Sequence, residues 1–257
     1  LTRIVSGFEM FTAVLMRKDP PFDSEFLYTT HLLDHVGKIV PVINAPQALR
    51  DYNEKLALLS FSCFAPKTIV TSCAQDIHAF IDDVKDTVVK PLDSMGGRGI
   101  FRVRRQDPNR YAIVEAVTQY GTKRAMVQRF LPEITDGDKR IMLIDDEPLP
   151  FALARMAMPG ETRANLAAGG TGIARPLQEK ERIIAQAVGD VLKKRGLFLV
   201  GLDMIGTHLT EINVTSPTCF VEIRKQTGFS IAAAFWDRFD KVYGDFRTVA
   251  CGKCSSA

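Results

Sequence analysis

Apolar and polar positions alternate with a period of two in some stretches and with a helical period in others, and the mixture predicts an α/β chain. Residues 11–18 read as a strand, 23–35 as a helix and 39–43 as a second strand, together one α/β unit. A helical stretch follows from Asn44-Ala45-Pro46 to about residue 60. Residues 66–70, 87–90, 100–103 and 125–130 then read as strands around a helix at 75–84. Arg140-Ile141-Met142-Leu143-Ile144 and residues 149–154 alternate on either side of Asp145-Asp146-Glu147-Pro148, which predicts a hairpin. Residues 179–195 predict an amphipathic helix with Ile183, Ile184, Ala187, Val188, Val191 and Leu192 on one face. Lys193-Lys194-Arg195 suit its carboxyl end, and Gly196 stops it. Residues 228–243, with Trp236, read as another apolar helix.

The stretch 201–214 adds chemistry to the pattern. If Gly206, Thr207 and His208 form a three-residue loop, Ile205 faces Leu209 and Asp203 faces Glu211, with Asn213 on the same face. Leu202, Met204, Ile212 and Val214 then point to a core, so the hairpin has one apolar and one acidic face. Two carboxylates and an amide are hard oxygen ligands of the kind magnesium shares with substrate phosphates. The other reading makes Asp203 and Glu211 solvated residues of an edge hairpin.

Upstream, Lys90 ends a strand and is followed by Pro91-Leu92-Asp93-Ser94-Met95-Gly96-Gly97-Arg98-Gly99, after which strand alternation resumes at Ile100. Glycines let backbone N–H groups approach phosphate oxygens, although the same run also suits an ordinary hairpin turn. It is no P-loop, because the lysine precedes the glycines and a strand pattern follows them. Residues 159–172 show neither period and are long for a connection, as lids and binding loops are, with Arg155 and Arg163 flanking their start and Arg175 their end. The alternative, a solvated linker, fits poorly with Asn165-Leu166-Ala167-Ala168.

Several runs occur together and in order: Met16-Arg17-Lys18-Asp19-Pro20-Pro21-Phe22-Asp23, Leu49-Arg50-Asp51 with Asn53-Glu54-Lys55, Lys90-Pro91-Leu92-Asp93, Asp136-Gly137-Asp138-Lys139-Arg140, Asn165-Leu166-Ala167-Ala168-Gly169-Gly170 and Thr210-Glu211-Ile212-Asn213-Val214-Thr215-Ser216-Pro217-Thr218-Cys219. In these, spanning residues 16–219, the chain resembles the prokaryotic-type glutathione synthetase family of ATP-grasp ligases. The resemblance implies an α/β (α+β) ATP-grasp fold: a remnant of an amino-terminal substrate domain at 1–48, a lid subdomain at 49–131 and a carboxyl-terminal subdomain with the metal hairpin at 132–257. It implies an enzyme that joins γ-glutamylcysteine to glycine using ATP and magnesium (or manganese) through an acyl phosphate. By position, Lys55, Lys90, Gly96 and Gly97 would contact the nucleotide, Gln128, Phe130 and Leu131 the adenine, and Asp138 the ribose, with Arg140 and Arg155 by the phosphates. Arg140, Arg155, Arg163 and Asn165 would serve the reacting centre. Arg17, Arg163, Ser216, Pro217, Thr218 and Cys219 would meet the peptide substrates, and Asp203, Glu211 and Asn213 the metal. A cytoplasmic location and a homo-oligomer, commonly a tetramer, are also implied. Two departures stand out: the family's amino-terminal domain would extend upstream of Leu1, and Thr171 and Arg98 are unusual at their loop positions. Another carboxylate-amine ligase, or a truncated ATP-binding module without turnover, is the alternative.

Composition narrows the classes. With 46% hydrophobic and 25% charged residues the chain can bury a sizeable core, and a net charge of +3 without a basic run gives no sign of nucleic-acid binding. No apolar run reaches membrane-spanning length. Five cysteines, Cys63, Cys73, Cys219, Cys251 and Cys254, suit a reducing compartment, and the Cys251-Gly252-Lys253-Cys254 tail reads as a disordered terminus. His31 and His35 lie one helical turn apart, a spacing that can bind zinc, but without a third ligand they read as a solvated helix face.

Overall fold

The computed structural model describes residues 7–94, 96–158, 164 and 169–253, with backbone only for 245–253. An amino-terminal unit sets β1 (Val14–Leu15) parallel to β2 (Val42–Ile43), with α1 (Ser24–Val36) between them in sequence. The Asp23 carboxylate caps α1 by accepting the Phe26 N–H at 2.8 Å, and Phe26, Thr30, Leu33 and Val36 form its buried stripe. Both strands are shorter than predicted, two residues each.

The helix predicted to run to residue 60 breaks after α2 (Pro46–Asp51), and a 3-10 turn (Leu56–Phe61) takes over. The cause is local: the Asn53 side-chain oxygen accepts the N–H groups of Lys55 at 3.0 Å and Leu56 at 3.1 Å, bonds that compete with a continuing helix.

A four-stranded antiparallel sheet follows, ordered β3-β6-β4-β5, from β3 (Thr68–Thr71), β4 (Asp86–Pro91), β5 (Phe101–Arg104) and β6 (Ala125–Arg129). Two helices cover it, the predicted α3 (Ala74–Val84) and α4 (Arg110–Thr118), which was not predicted although Val114 and Val117 carry its buried face. Ile77, Phe80 and Ile81 of α3 pack with Val114 and Val117 against Val89, Val103, Ala125 and Val127.

The larger sheet is also antiparallel, ordered β11-β10-β7-β8-β9, from β7 (Asp138–Ile144), β8 (Glu147–Met156), β9 (Thr171–Pro176), β10 (Leu199–Ile205) and β11 (His208–Asn213). Residues 171 and 172, the end of the stretch that shows neither period, belong to β9, which pairs along β8 from Thr171 to Pro176. The β7–β8 turn is tighter than expected, since Ile144 faces Glu147 and only Asp145-Asp146 form the turn, with a register shift between Ile141 and Leu143.

Both faces of this sheet are covered, so parity along a strand decides where a side chain goes. Ile141 and Leu143 enter one core with Ala185, Val188 and Leu192 of α5 (Glu179–Lys193). Met142 and Ile144 enter another with Ile223 of α6 (Phe220–Thr227) and Ile231, Phe235 and Phe239 of α7 (Ile231–Lys253). Asn44 joins the amino-terminal unit to this sheet, donating to the carbonyls of Leu199 at 2.8 Å and Val214 at 2.6 Å and accepting the N–H groups of Phe198 and Leu199, each at 2.8 Å. One buried amide thereby satisfies groups that pairing alone leaves open.

Candidate functional site

The acidic hairpin forms by a route the sequence does not show. The β10–β11 turn has two residues, Gly206 and Thr207, so Ile205 faces His208 and Met204 faces Leu209. The register then shifts between Asp203 and Met204, leaving Thr210 as the extra residue of a bulge, and Asp203 faces Glu211 after all. The Thr210 hydroxyl donates to the Asp203 carbonyl at 3.0 Å. Leu202, Met204, Ile212 and Val214 enter the core, while Asp203, Glu211 and Asn213 border a cleft of about 360 Å³ between the two sheets.

Register builds the rest. Asp203 lies opposite Arg140 on β7, and Asp138 lies opposite Arg155 on β8, all on the face that Met142 and Ile144 share farther along. Charges alternate across three strands. Arg140 Nε meets Asp203 Oδ1 at 2.5 Å and its Nη2 meets Oδ2 at 2.9 Å, while Arg155 Nη2 reaches Asp138 Oδ2 at 2.5 Å and Asp203 Oδ2 at 2.9 Å. Burial alone would raise the Asp203 pKa, but the two guanidiniums outweigh it and hold this carboxyl far below the usual carboxylate range. Space for Arg140 comes from Gly201, where a Cβ would stand 2.8 Å from Pro217 Cβ and 2.9 Å from Arg140 Cδ. Lys139, one residue away, has the opposite parity and donates to Glu181 at 2.7 Å on the α5 side.

Asp138 is the counterpart of Asp203 in charge but not in compensation. Its Oδ1 is buried without a hydrogen-bond partner among the described residues, and burial pushes its pKa up to about 6. A carboxyl raised from 3.8 contributes stability fully present below 3.8 and lost as the pH rises through about 6. Wild type should therefore lose, relative to Asp138→Asn, on the order of 2 kcal/mol of unfolding free energy between pH 4 and 7. Thermal unfolding of both across that range tests it, and parallel curves would refute it.

Across the cleft, Lys55 is 1% exposed, and its Nζ binds Glu54 Oε1 and the Ser94 carbonyl, the latter at 2.7 Å. Burial lowers the Lys55 pKa, but Glu211 and Glu54 outweigh it and the net shift is upward. Lys90 is nearly as buried and poorly partnered, with Thr210 O at 3.4 Å and Glu211 Oε1 at 3.6 Å, so burial drives its pKa down. Gly96, Gly97, Gln128, Phe130 and Leu131 also border the cleft.

The far wall joins segments nearly 200 residues apart. Ser216 Oγ donates to Asp19 Oδ1 at 2.5 Å, and Arg17 donates to the Pro217 carbonyl at 2.8 Å. Ser216, Thr218 and Cys219 border the cleft; Arg17 and Pro217 brace that wall instead. Cys219 is buried at φ 85, and burial pushes its thiol pKa up, which keeps it protonated. Arg163 and Asn165 lie outside the described residues. Sequence reasoning missed Glu54, although it stands inside a quoted run, and missed that Asp203 is first of all the partner of two arginines. His31 and His35 are exposed on α1, and among the described residues no group of three His, Cys, Asp or Glu is placed to hold a metal. The hairpin set is a different kind, two carboxylates and one amide, oxygen donors of the type magnesium takes, and both Asp203 oxygens are bonded to Arg140 and Arg155. No helix among the described residues is long and apolar enough to cross a membrane.

Two antiparallel sheets thus close on a cleft lined by buried lysines and by a cross-strand arginine–aspartate grid. Solved structures agree in fold: D-cycloserine synthetase DcsG superposes with TM-score 0.61 at 17% identity, covering 82% of this chain and 78% of that one. Macrocyclase MdnC bound with precursor peptide MdnA from Microcystis aeruginosa MRC gives 0.62 at 16% identity, covering 89% and 78%. The family model of the prokaryotic glutathione synthetase ATP-grasp domain matches residues 54–228, and that of its N-terminal domain matches residues 4–50. Glutathione synthetase of Nitrosomonas europaea is 54% identical over 92% of this chain and 73% of its own length, and that of Shewanella oneidensis 54% over 90% and 74%. The chain belongs to the prokaryotic glutathione synthetase family, and it is an ATP-dependent ligase of glutathione synthesis.

Proposed function

We propose that the cleft joins γ-glutamylcysteine to glycine through an acyl phosphate, with residues 49–131 and 132–257 as the two jaws around ATP. The observation that carries this is the Arg140–Asp203–Arg155–Asp138 grid facing Lys55 and Lys90, a buried charge array that lines the cleft.

Both nucleophiles are substrate groups, so the protein has to orient reactants and balance charge. The dipeptide carboxylate attacks the γ-phosphorus and ADP leaves; the glycine amine then attacks the acyl carbon, phosphate leaves and the amine loses a proton. Lys90, undersatisfied in the free protein, gains its counter-charge from the nucleotide phosphates, and Lys55 adds a second cation with the Gly96-Gly97 backbone beside it. Gln128, Phe130 and Leu131 bound the adenine, and the unpartnered Asp138 Oδ1 accepts from a ribose hydroxyl. Arg140 and Arg155 stabilise charge on the transferred phosphoryl group and the acyl phosphate. Arg17 holds the segment with Ser216, Thr218 and Cys219 where the peptide enters. Asp203, Glu211 and Asn213 would hold magnesium, which when bound screens the phosphate oxygens and favours departure of ADP.

The test is ADP release with magnesium and ATP, adding γ-glutamylcysteine and glycine separately and together. Release that requires both establishes this reaction. ATP binding without release under any combination would favour a non-catalytic module, and release with other amines a different carboxylate-amine specificity. Light scattering checks the tetramer that the family implies.

A further inference from the structure

Phe130 borders the cleft just beyond β6, and behind it lies a side chain that the reading above does not use. The guanidinium carbon of Arg102 stands 3.5 Å from the centre of the Phe130 ring, which is stacking distance. Arg102 itself is not among the residues that border the cleft. Its plane is set by Asp86 in a two-point pair, Nε to Oδ1 at 2.9 Å and Nη2 to Oδ2 at 2.6 Å.

Asp86 acts on the ring from both sides of the chain. Its carboxylate holds the guanidinium, and its carbonyl oxygen accepts the Phe130 backbone N–H at 2.9 Å. Strand order makes this possible, since β4 lies between β5, where Val88 faces Arg102, and β6, where Thr87 faces Arg129. A single residue at the start of the central strand therefore fixes the backbone of Phe130 and the planar group against its ring. An aromatic wall held in one rotamer loses less entropy when a base packs on it.

We propose that Arg102 is a positioning residue of the nucleotide site: its Asp86-clamped guanidinium holds the Phe130 ring in the orientation that borders the cleft, and so sets affinity for the purine base. This rests on the assignment of Phe130 to the adenine pocket. Steady-state kinetics of the full chain, varying ATP with γ-glutamylcysteine and glycine saturating and then γ-glutamylcysteine with ATP and glycine saturating, test it on wild type, Phe130→Ala, Arg102→Gln, Arg102→Lys and Asp86→Asn. Arg102→Gln is expected to raise KM for ATP about five- to tenfold, the loss of one stacked cation, with kcat and KM for γ-glutamylcysteine within about twofold of wild type. Arg102→Lys should not restore KM, because an ammonium offers no plane to stack. Asp86→Asn, which keeps the arginine but frees it, should move KM for ATP in the same direction by less, and it carries the test if Arg102→Gln does not fold.

Three results would overturn the proposal, and they differ. An unchanged KM for ATP in Arg102→Gln, with Phe130→Ala raising it, removes Arg102 while leaving the adenine assignment standing. An unchanged KM in Phe130→Ala removes that assignment itself. A fall in kcat with all KM values moving together, restored by Arg102→Lys, would make the arginine a support of the fold in general.

Discussion

An Asp203→Asn enzyme is expected to unfold roughly 6–20 °C below wild type, from about 3–5 kcal/mol for breaking a buried ion cluster by removing one partner. Its kcat/KM should fall about a hundredfold to a thousandfold, the range for losing one preorganised electrostatic group. Asparagine keeps the volume, so the loss reports charge and not a cavity. Both guanidiniums that Asp203 balances are themselves buried, Arg140 and Arg155 at 6% and 5% exposure, and neither can turn to water for compensation. Arg155 would keep Asp138, whereas Arg140 has its charge contact with Asp203. Differential scanning calorimetry and ADP release on the same preparation decide it. A Tm within 2 °C of wild type, an arbitrary margin of about the scatter expected for a neutral surface change, would mean that the carboxylate is not what balances the arginines.

Lys90→Met should separate stability from activity in the opposite sense. The Lys90 ammonium is buried with only a 3.4 Å contact to a carbonyl and a 3.6 Å contact to Glu211, too loose to offset its desolvation. Methionine of similar length removes that penalty, so the variant is expected to be about 1–2 kcal/mol more stable and to melt roughly 2–8 °C higher. Its kcat/KM for ATP should fall about a hundredfold as the phosphates lose their buried cation. Lys55→Met is the contrast: Lys55 is bonded to Glu54 and to the Ser94 carbonyl, so losing it orphans both and the variant should melt lower. A Lys90→Met protein that melts below wild type would show that Lys90 is already compensated in the free enzyme.

Chemistry and period were local properties and could be read from the chain. The helix near 179–195 followed from its period and basic end, and the structure closes it at Lys193, but the face is turned from the expected one: Glu181, Ala185, Val188, Gly189 and Leu192 are buried while Ile183 and Val191 are exposed. The two faces of residues 201–214 followed from alternation, and the segregation of Asp203, Glu211 and Asn213 from Leu202, Met204 and Ile212 is as expected. That result held despite a wrong loop length, because a two-residue turn and a one-residue bulge displace the strand by the same amount as a three-residue loop. The break after α2 was also local, since Asn53 supplies it, but its side-chain bonds leave no mark on a hydrophobic pattern. Helix α4 was missed although Val114 and Val117 are spaced for one face.

The sequence by itself determined the family, the fold class and the two faces of the 201–214 hairpin, because side-chain alternation and motif order are carried by neighbours along the chain. The tertiary structure alone decided who meets whom: that Asp203 sits between Arg140 and Arg155, that Asp138 keeps an unpartnered oxygen, that Arg17 and Asp19 brace a segment nearly 200 residues away, and that Arg102 stacks behind Phe130. Those contacts depend on which strands pair and in what register, and register is chosen by the burial of both sheet faces together, a sum over distant segments that no single stretch contains.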